Sequence, residues 1–234
     1  MRVLEVIALT AKDVQELNDT KVDRIEFCAN MEADGLTPKK EVLEAALKIT
    51  KKPINVMLRN KNSFILEEEE SVALITYVKY LVELKKTYPL LNGIVLGYYT
   101  NNDKLDEKFL QAINKVSGEL NLTFHKAVDN LIDNEEYLKL QKYNISTILT
   151  QGGLNKIENN LEKIKELQQK LPKIEILLGG GIDDKNIEQL LKLNCSIHLG
   201  TLAKIEKNYN KGYNIVYLNK IKDIMIGEHE GLHT

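Results

Sequence analysis

Six side chains able to do chemistry fall in or at the close of short apolar runs: Glu5, Glu26, Cys28, Arg59, His125 and His198. One of those runs ends in Thr123-Phe124-His125-Lys126-Ala127-Val128-Asp129, which sets an imidazole and a carboxylate where the apolar segment gives way. Imidazole titrates near neutrality, so His125 with a nearby Glu26 or Glu5 is equipment for moving a proton. Asp129 joins this candidate catalytic set. Arg59, with Lys61 beyond it, suits an anionic group, which a guanidinium grips through two parallel hydrogen bonds.

Glycines supply a second kind of candidate. Gly179-Gly180-Gly181 and Gly200-Thr201 each follow an apolar run. Glycine lets backbone N–H groups approach an oxyanion, and barrel proteins often hold a phosphate after the seventh and eighth strands. The alternative is that these glycines only turn a tight corner. Asp183-Asp184 would repel a phosphate they faced, so they read as helix caps.

The elements that must position these groups alternate along the chain. Eight apolar runs, at 3–7, 22–28, 54–59, 93–98, 120–125, 146–150, 174–178 and 195–199, have the length and Ile/Leu/Val content of strands covered on both faces. Helical patterns lie between them. Thr10 with Asp13 resembles a capping arrangement, and Pro38 suits the first turn of the second helix. The stretch 67–86 places Val72, Ile75, Val78, Tyr80, Leu81 and Leu84 at helical spacing, and 154–170 and 215–226 repeat the pattern. Eight strands each followed by a helix, at roughly 25–30 residues per unit, predict a single-domain (β/α)8 TIM barrel over 1–226 with a tail at 227–234. A doubly wound open sheet is the rival, but no GxGxxG follows the first strand.

Side chains alternate faces along a strand. Leu4, Val6, Ile25, Phe27, Leu122, Phe124, Ile197 and Leu199 then face the helices. One parity turns Glu5, Glu26, Cys28, Arg59, His125 and His198 inward together. Buried alone, such groups are costly, so they should pair. Two readings stay open: a satisfied polar layer that fixes strand register, and a site. Barrel sites lie at the C-terminal mouth, and Cys28, Arg59 and His125 are at strand ends. For Cys28 the alternatives are a metal ligand and a small buried residue that fills space.

Composition narrows the class. The 234 residues are 43% hydrophobic, enough for one sizeable core, and the net charge of -2 leaves no footprint for nucleic acid. No run approaches the ~18 apolar residues of a membrane span, and the N-terminus lacks the core of a signal peptide. Two distant cysteines, Cys28 and Cys195, form no framework and point to a reducing cytoplasm. His229-Glu230-Gly231-Leu232-His233 matches the HExxH zinc pattern, but it sits at a chain end with a glycine inside it and no third ligand following. It reads as a decoy.

Several motifs together resemble the CutC copper homeostasis family. They are Asp23-Arg24-Ile25-Glu26-Phe27-Cys28-Ala29, Gly35-Leu36-Thr37-Pro38, Thr123–Asp129, Ile148-Leu149-Thr150-Gln151-Gly152-Gly153, Leu178-Gly179-Gly180-Gly181-Ile182 and His198-Leu199-Gly200-Thr201. They follow the family's order across nearly the whole chain. The resemblance implies a TIM-like barrel, a cytoplasmic location, copper ion binding and a dimer. It also implies copper ligation by cysteine, which falls on Cys28. Members often read Arg-Pro-Arg-Gly-Gly after the third strand, whereas this chain has Arg59-Asn60-Lys61-Asn62-Ser63. Three functions are then in play: copper handling, an acid/base enzyme on a small anionic substrate, and a scaffold whose polar layer is structural.

Overall fold

The eight apolar runs form eight parallel strands in the computed structural model, which describes residues 2–227. They are β1 (Leu4–Ala8), β2 (Arg24–Phe27), β3 (Ile54–Met57), β4 (Leu91–Leu96), β5 (Asn121–Phe124), β6 (Ile145–Thr150), β7 (Glu175–Leu178) and β8 (Ser196–Leu199). Each pairs with the next and β8 returns to β1, closing the barrel. The HExxH sequence at 229–233 and the rest of the expected tail beyond Gly227 lie outside the described residues.

The expected parity holds. Leu4, Val6, Ile25, Phe27, Leu122, Phe124, Ile197 and Leu199 belong to one continuous apolar layer between strands and helices. Ile7, Cys28, Met57 and Val95 form a separate small cluster inside the barrel. The two clusters occupy opposite faces of the same strands, as a period of two requires.

Seven α-helices are present among the described residues: α1 (Ala11–Leu17), α2 (Lys40–Leu47), α3 (Glu68–Thr87), α4 (Glu107–Val116), α5 (Leu161–Lys170), α6 (Ile187–Leu191) and α7 (Ile215–Ile226). Thr10 and Asp13 make the expected capping box on α1. Helix α3 carries Glu68, Glu69 and Glu70 in its first turn and Lys85 and Lys86 in its last, matching the helix dipole. Its buried stripe runs through Leu74, Val78 and Leu81, and Val72 is solvent-facing.

Three expectations about helices need correction. Pro38 lies ahead of the α2 cap residue Lys39 and not in the first turn; its carbonyl accepts from Tyr77 Oη. The pattern at 154–170 is α-helical only from Leu161, preceded by a 3-10 turn at Ile157–Asn159, and the Asn160 side chain donates to the carbonyls of Gln151 and Asn155 to hold the loop before it. The β5–β6 crossover has no α-helix among the described residues, only 3-10 stretches at Lys126–Leu131 and Glu136–Lys142. Short polar side chains compete with the helical backbone here: Asn134 Oδ1 accepts from the Glu136 N–H, and Asp129 accepts from the loop beyond β6.

Candidate ligand pocket at the barrel mouth

Strand register builds the floor of the site. Glu5 on β1 is paired with Arg24 on β2 and with His198 on β8, so three charged or polar side chains stand in one row inside the barrel. Glu5 accepts from the Arg24 guanidinium and, at 3.3 Å, from Asn55 Nδ2. His198 Nδ1 lies 2.8 Å from the other Glu5 oxygen. Burial works to raise the Glu5 carboxyl, but Arg24 and His198 overcome it and hold it at about 2. An ionised carboxylate only accepts, so His198 Nδ1 carries the proton. Burial alone would lower the His198 pKa; Glu26 and Glu5 reverse this and raise it.

Below this row a polar belt circles the N-terminal end. Arg24 also reaches Glu175 at 3.2 Å, Thr147 donates to Glu175 at 2.9 Å, and Asn92 links Asn55 to Asn121. This belt lines a separate cavity at the N-terminal end of the barrel.

Above the row opens a pocket of about 240 Å³, lined by Glu26, His198, His125, Arg59, Met31, Met57, Lys126, Asp34, Gly179, Gly180, Gly181, Gly200, Thr201 and Tyr209, among others. Glu26 is buried and accepts no hydrogen bond among the described residues, and its Oε2 is without a partner. Burial, partly offset by His198, pushes its carboxyl up to about 7. His125 Nδ1 accepts the Ala127 N–H at 3.2 Å, so the neutral ring carries its proton on Nε2, which has no partner among the described residues. The ring packs 5.1 Å from Phe64, and burial, with Arg59 and Lys126 nearby, lowers its pKa to about 3. Gly97 makes room for it: a Cβ there would lie 2.5 Å from His125 Nδ1.

The other expected residues divide. Gly179, Gly180, Gly181, Gly200 and Thr201 do line the pocket. No backbone hydrogen bond among the described residues uses the N–H of Gly180, Gly181 or Gly200. Arg59 lines it too, but its Nε donates to Gly35 O at 3.1 Å and its Nη2 to Ala33 O, so the guanidinium mainly braces the loop after β2. Lys61 does not reach the pocket; it is exposed and paired with Glu67. Asp129 also stands outside the lining. Its carboxylate accepts from Thr150 Oγ1 and from the Gly153 N–H at 2.9 Å, tying the β5 loop to the end of β6. Cys28 is fully buried and does not itself line the pocket; it packs behind the lining residues Ile7 and Met57, with its Sγ 3.5 Å from Met31 Sδ. Burial, Glu26 and Asp34 raise its thiol pKa. Cys195 lies at the opposite end of the barrel, and both thiols are free.

Sequence reasoning passed over five participants, among them Met31, whose Sδ meets Cys28 Sγ from the loop after β2. Arg24 precedes Glu26 by two residues, so the parity that turned Glu26 inward would have placed it. Lys126 and Asp34 form an ion pair at the mouth between the end of β5 and the loop after β2. Nothing local marks that pairing. Tyr209, far along the chain, closes over Gly200, where a Cβ would lie 2.5 Å from its Oη.

A closed eight-stranded parallel barrel with a polar pocket at its C-terminal mouth defines the TIM-barrel class. The family model described as CutC matches residues 2–203, and the chain belongs to the CutC family. It is 28% identical over 172 residues to the human copper homeostasis protein cutC homolog, an alignment covering 73% of this chain and 62% of that relative. It is 31% identical to a CutC protein of Enterococcus faecalis, covering 72% of this chain and 83% of that one. The solved structure of the copper homeostasis protein CutC from Streptococcus agalactiae superposes with a TM-score of 0.75 at 25% identity, over 86% of this chain and 98% of the other.

Proposed function

We propose that this protein serves copper homeostasis in the cytoplasm, taking up Cu(I) as cargo at the sulfur-bearing wall of the pocket. Family membership supports the role, since the human relative carries that name. The observation that carries the copper reading is a sulfur cluster. Cys28 Sγ and Met31 Sδ are 3.5 Å apart. Cys28 Sγ and the Met57 methyl each lie 3.6 Å from the point a Gly35 Cβ would occupy, so both side chains wall the same small space. Thiolate and thioether donors select Cu(I) over harder ions. Two free, buried thiols support a reducing compartment. The family resemblance supports a homodimer, which light scattering on the full chain tests.

Anaerobic Cu(I) competition titrations test the cargo, on full-length protein carrying His229→Ala and His233→Ala to remove the histidines of the C-terminal segment. Cys28→Ser is expected to weaken binding by about a hundredfold, or ~2.8 kcal/mol, and Met31→Leu by about tenfold. Equal affinity in all three proteins would remove the sulfur wall from the account.

One observation favours a second reading, an acid/base enzyme acting on a small anionic substrate. His125 lines the same pocket as Gly180 and Gly181, and among the described residues neither its Nε2–H nor their N–H groups have a hydrogen-bond partner. A crystal grown with phosphate tests it: phosphate on those N–H groups supports the reading, and an empty loop at saturating phosphate removes it.

A further inference from the structure

Three donor side chains converge on the pocket floor apart from the sulfur wall. Glu5, Glu26 and His198 come from β1, β2 and β8, all are buried, and each offers a ligand atom within 4.8 Å of the others. Their states differ. Glu5 has both oxygens committed, one to His198 and the other to Arg24 and Asn55. His198 gives its Nδ1–H to Glu5, so in the neutral ring, the form a bound cation selects, the Nε2 lone pair has no partner among the described residues. Glu26, at 2% exposure, has no hydrogen-bond donor among the described residues.

An unpaired buried carboxylate is costly and calls for a proton or a cation. None of the guanidinium and ammonium groups around it makes a hydrogen bond to Glu26 among the described residues. Arg24 serves Glu5 and Glu175 through Nε and Nη1 and its Nη2 has no partner there, Lys126 serves Asp34, and Arg59 serves two backbone carbonyls. The pattern left over is a free carboxylate beside an imidazole whose far nitrogen is held by a second carboxylate. Metal-ligating histidines are oriented in this way, with the outer carboxylate fixing the tautomer and raising ligand basicity. Carboxylate and imidazole donors suit borderline divalent ions such as zinc, not Cu(I).

We propose that the pocket floor is a divalent-cation site of the zinc class, with Glu26 and His198 as direct ligands and Glu5 as the partner that positions His198. Arg24 neutralises Glu5, so the cation answers the charge of Glu26. The remaining coordination positions face the pocket, where water or an oxygen of a small ligand completes them. The site does not depend on the sulfur wall: it uses different side chains and a harder ion.

Calorimetric titration of Zn2+ into the full-length protein tests this, in the same His229→Ala/His233→Ala background. One zinc per chain is expected. Glu26→Gln keeps the side-chain shape and should weaken binding by about a hundredfold, while Glu5→Gln, acting through His198, should weaken it by about tenfold. Cys28→Ser should leave zinc binding intact, whereas it weakens Cu(I) binding by about a hundredfold if the sulfur wall is the copper site. Thermal unfolding of each variant without metal checks that it is folded. The proposal is overturned if the parent binds no zinc, if folded Glu26→Gln binds it as tightly as the parent, or if Cys28→Ser alone removes it.

Discussion

His198 donates its Nδ1–H to Glu5 at 2.8 Å, across the register pair that joins β8 to β1 and closes the barrel. The same carboxylate takes the Arg24 guanidinium from β2. One buried anion therefore fastens three adjacent strands at the seam where the ends of the chain's fold meet. The fastening depends on matched charge, because the anion is wholly buried.

Removing one partner of such a pair leaves the other charged and unpaired, which costs about 3–5 kcal/mol. Arg24→Met is expected to lower the unfolding free energy by about that amount. Arg24→Met with Glu5→Leu should recover part of the loss, because apolar replacement of a buried pair is often tolerated. Urea denaturation of both variants measures the difference. A single variant as stable as the parent would show that Glu5 is neutral in the folded state.

Gly97→Ala should destabilise through sterics, not backbone strain. The added Cβ would meet His125 Nδ1 at 2.5 Å, His125 Cε1 at 2.7 Å and the Ala127 Cβ at 3.2 Å. Overpacking of this kind costs about 1–3 kcal/mol. The imidazole must move, so its resonances in an NMR spectrum should shift while those of His198 stay in place. Unchanged His125 resonances would mean that the ring does not pack over β4.

Much of this arrangement was legible in the sequence, because period two is a strong rule on strands buried on both sides. Glu5, Glu26, His125 and His198 could be turned inward together from their apolar neighbours alone. What stayed hidden depends on contacts between distant segments. Arg59 looked like an anion clamp until the loop after β2 placed the carbonyls of Ala33 and Gly35 on its guanidinium. Asp129 looked catalytic by its nearness to His125, yet its neighbour in space is the end of β6. The β5–β6 crossover looked helical by arithmetic, since every other unit supplies a helix, but Asp129 and Asn134 draw their hydrogen bonds elsewhere.

Asp129→Ala should therefore act on stability and local order more than on the pocket. It strips the acceptor from Thr150 Oγ1 and from the N–H groups of Gln151 and Gly153. Loss of hydrogen bonds to a charged group costs about 1.5–3 kcal/mol each, less whatever water recovers. Hydrogen exchange should show lost protection at Gly153, with metal affinity unchanged. A variant that loses metal binding but keeps that protection would return Asp129 to the site.

The acid behaviour of His125 has a defined sign. Its folded pKa, about 3, lies below the ordinary 6.5, because burial, Arg59 and Lys126 disfavour the charged ring. As pH falls below 6.5 the unfolded chain takes the proton first, so this residue's contribution is complete above 6.5 and is lost on descent towards 3. The loss approaches about 1.4 kcal/mol per pH unit within that window. Other buried groups obscure it in the parent alone. Asp129 is raised to about 6 by burial, against its hydrogen bonds, and so gains stability over part of the same range. The difference between parent and His125→Asn isolates the imidazole, since an Asn Oδ1 can still accept the Ala127 N–H and cannot titrate. Urea midpoints at intervals from pH 7 to pH 4 should converge as pH falls, with the parent losing its advantage. Parallel curves would mean that His125 titrates normally and that its ring is open to water.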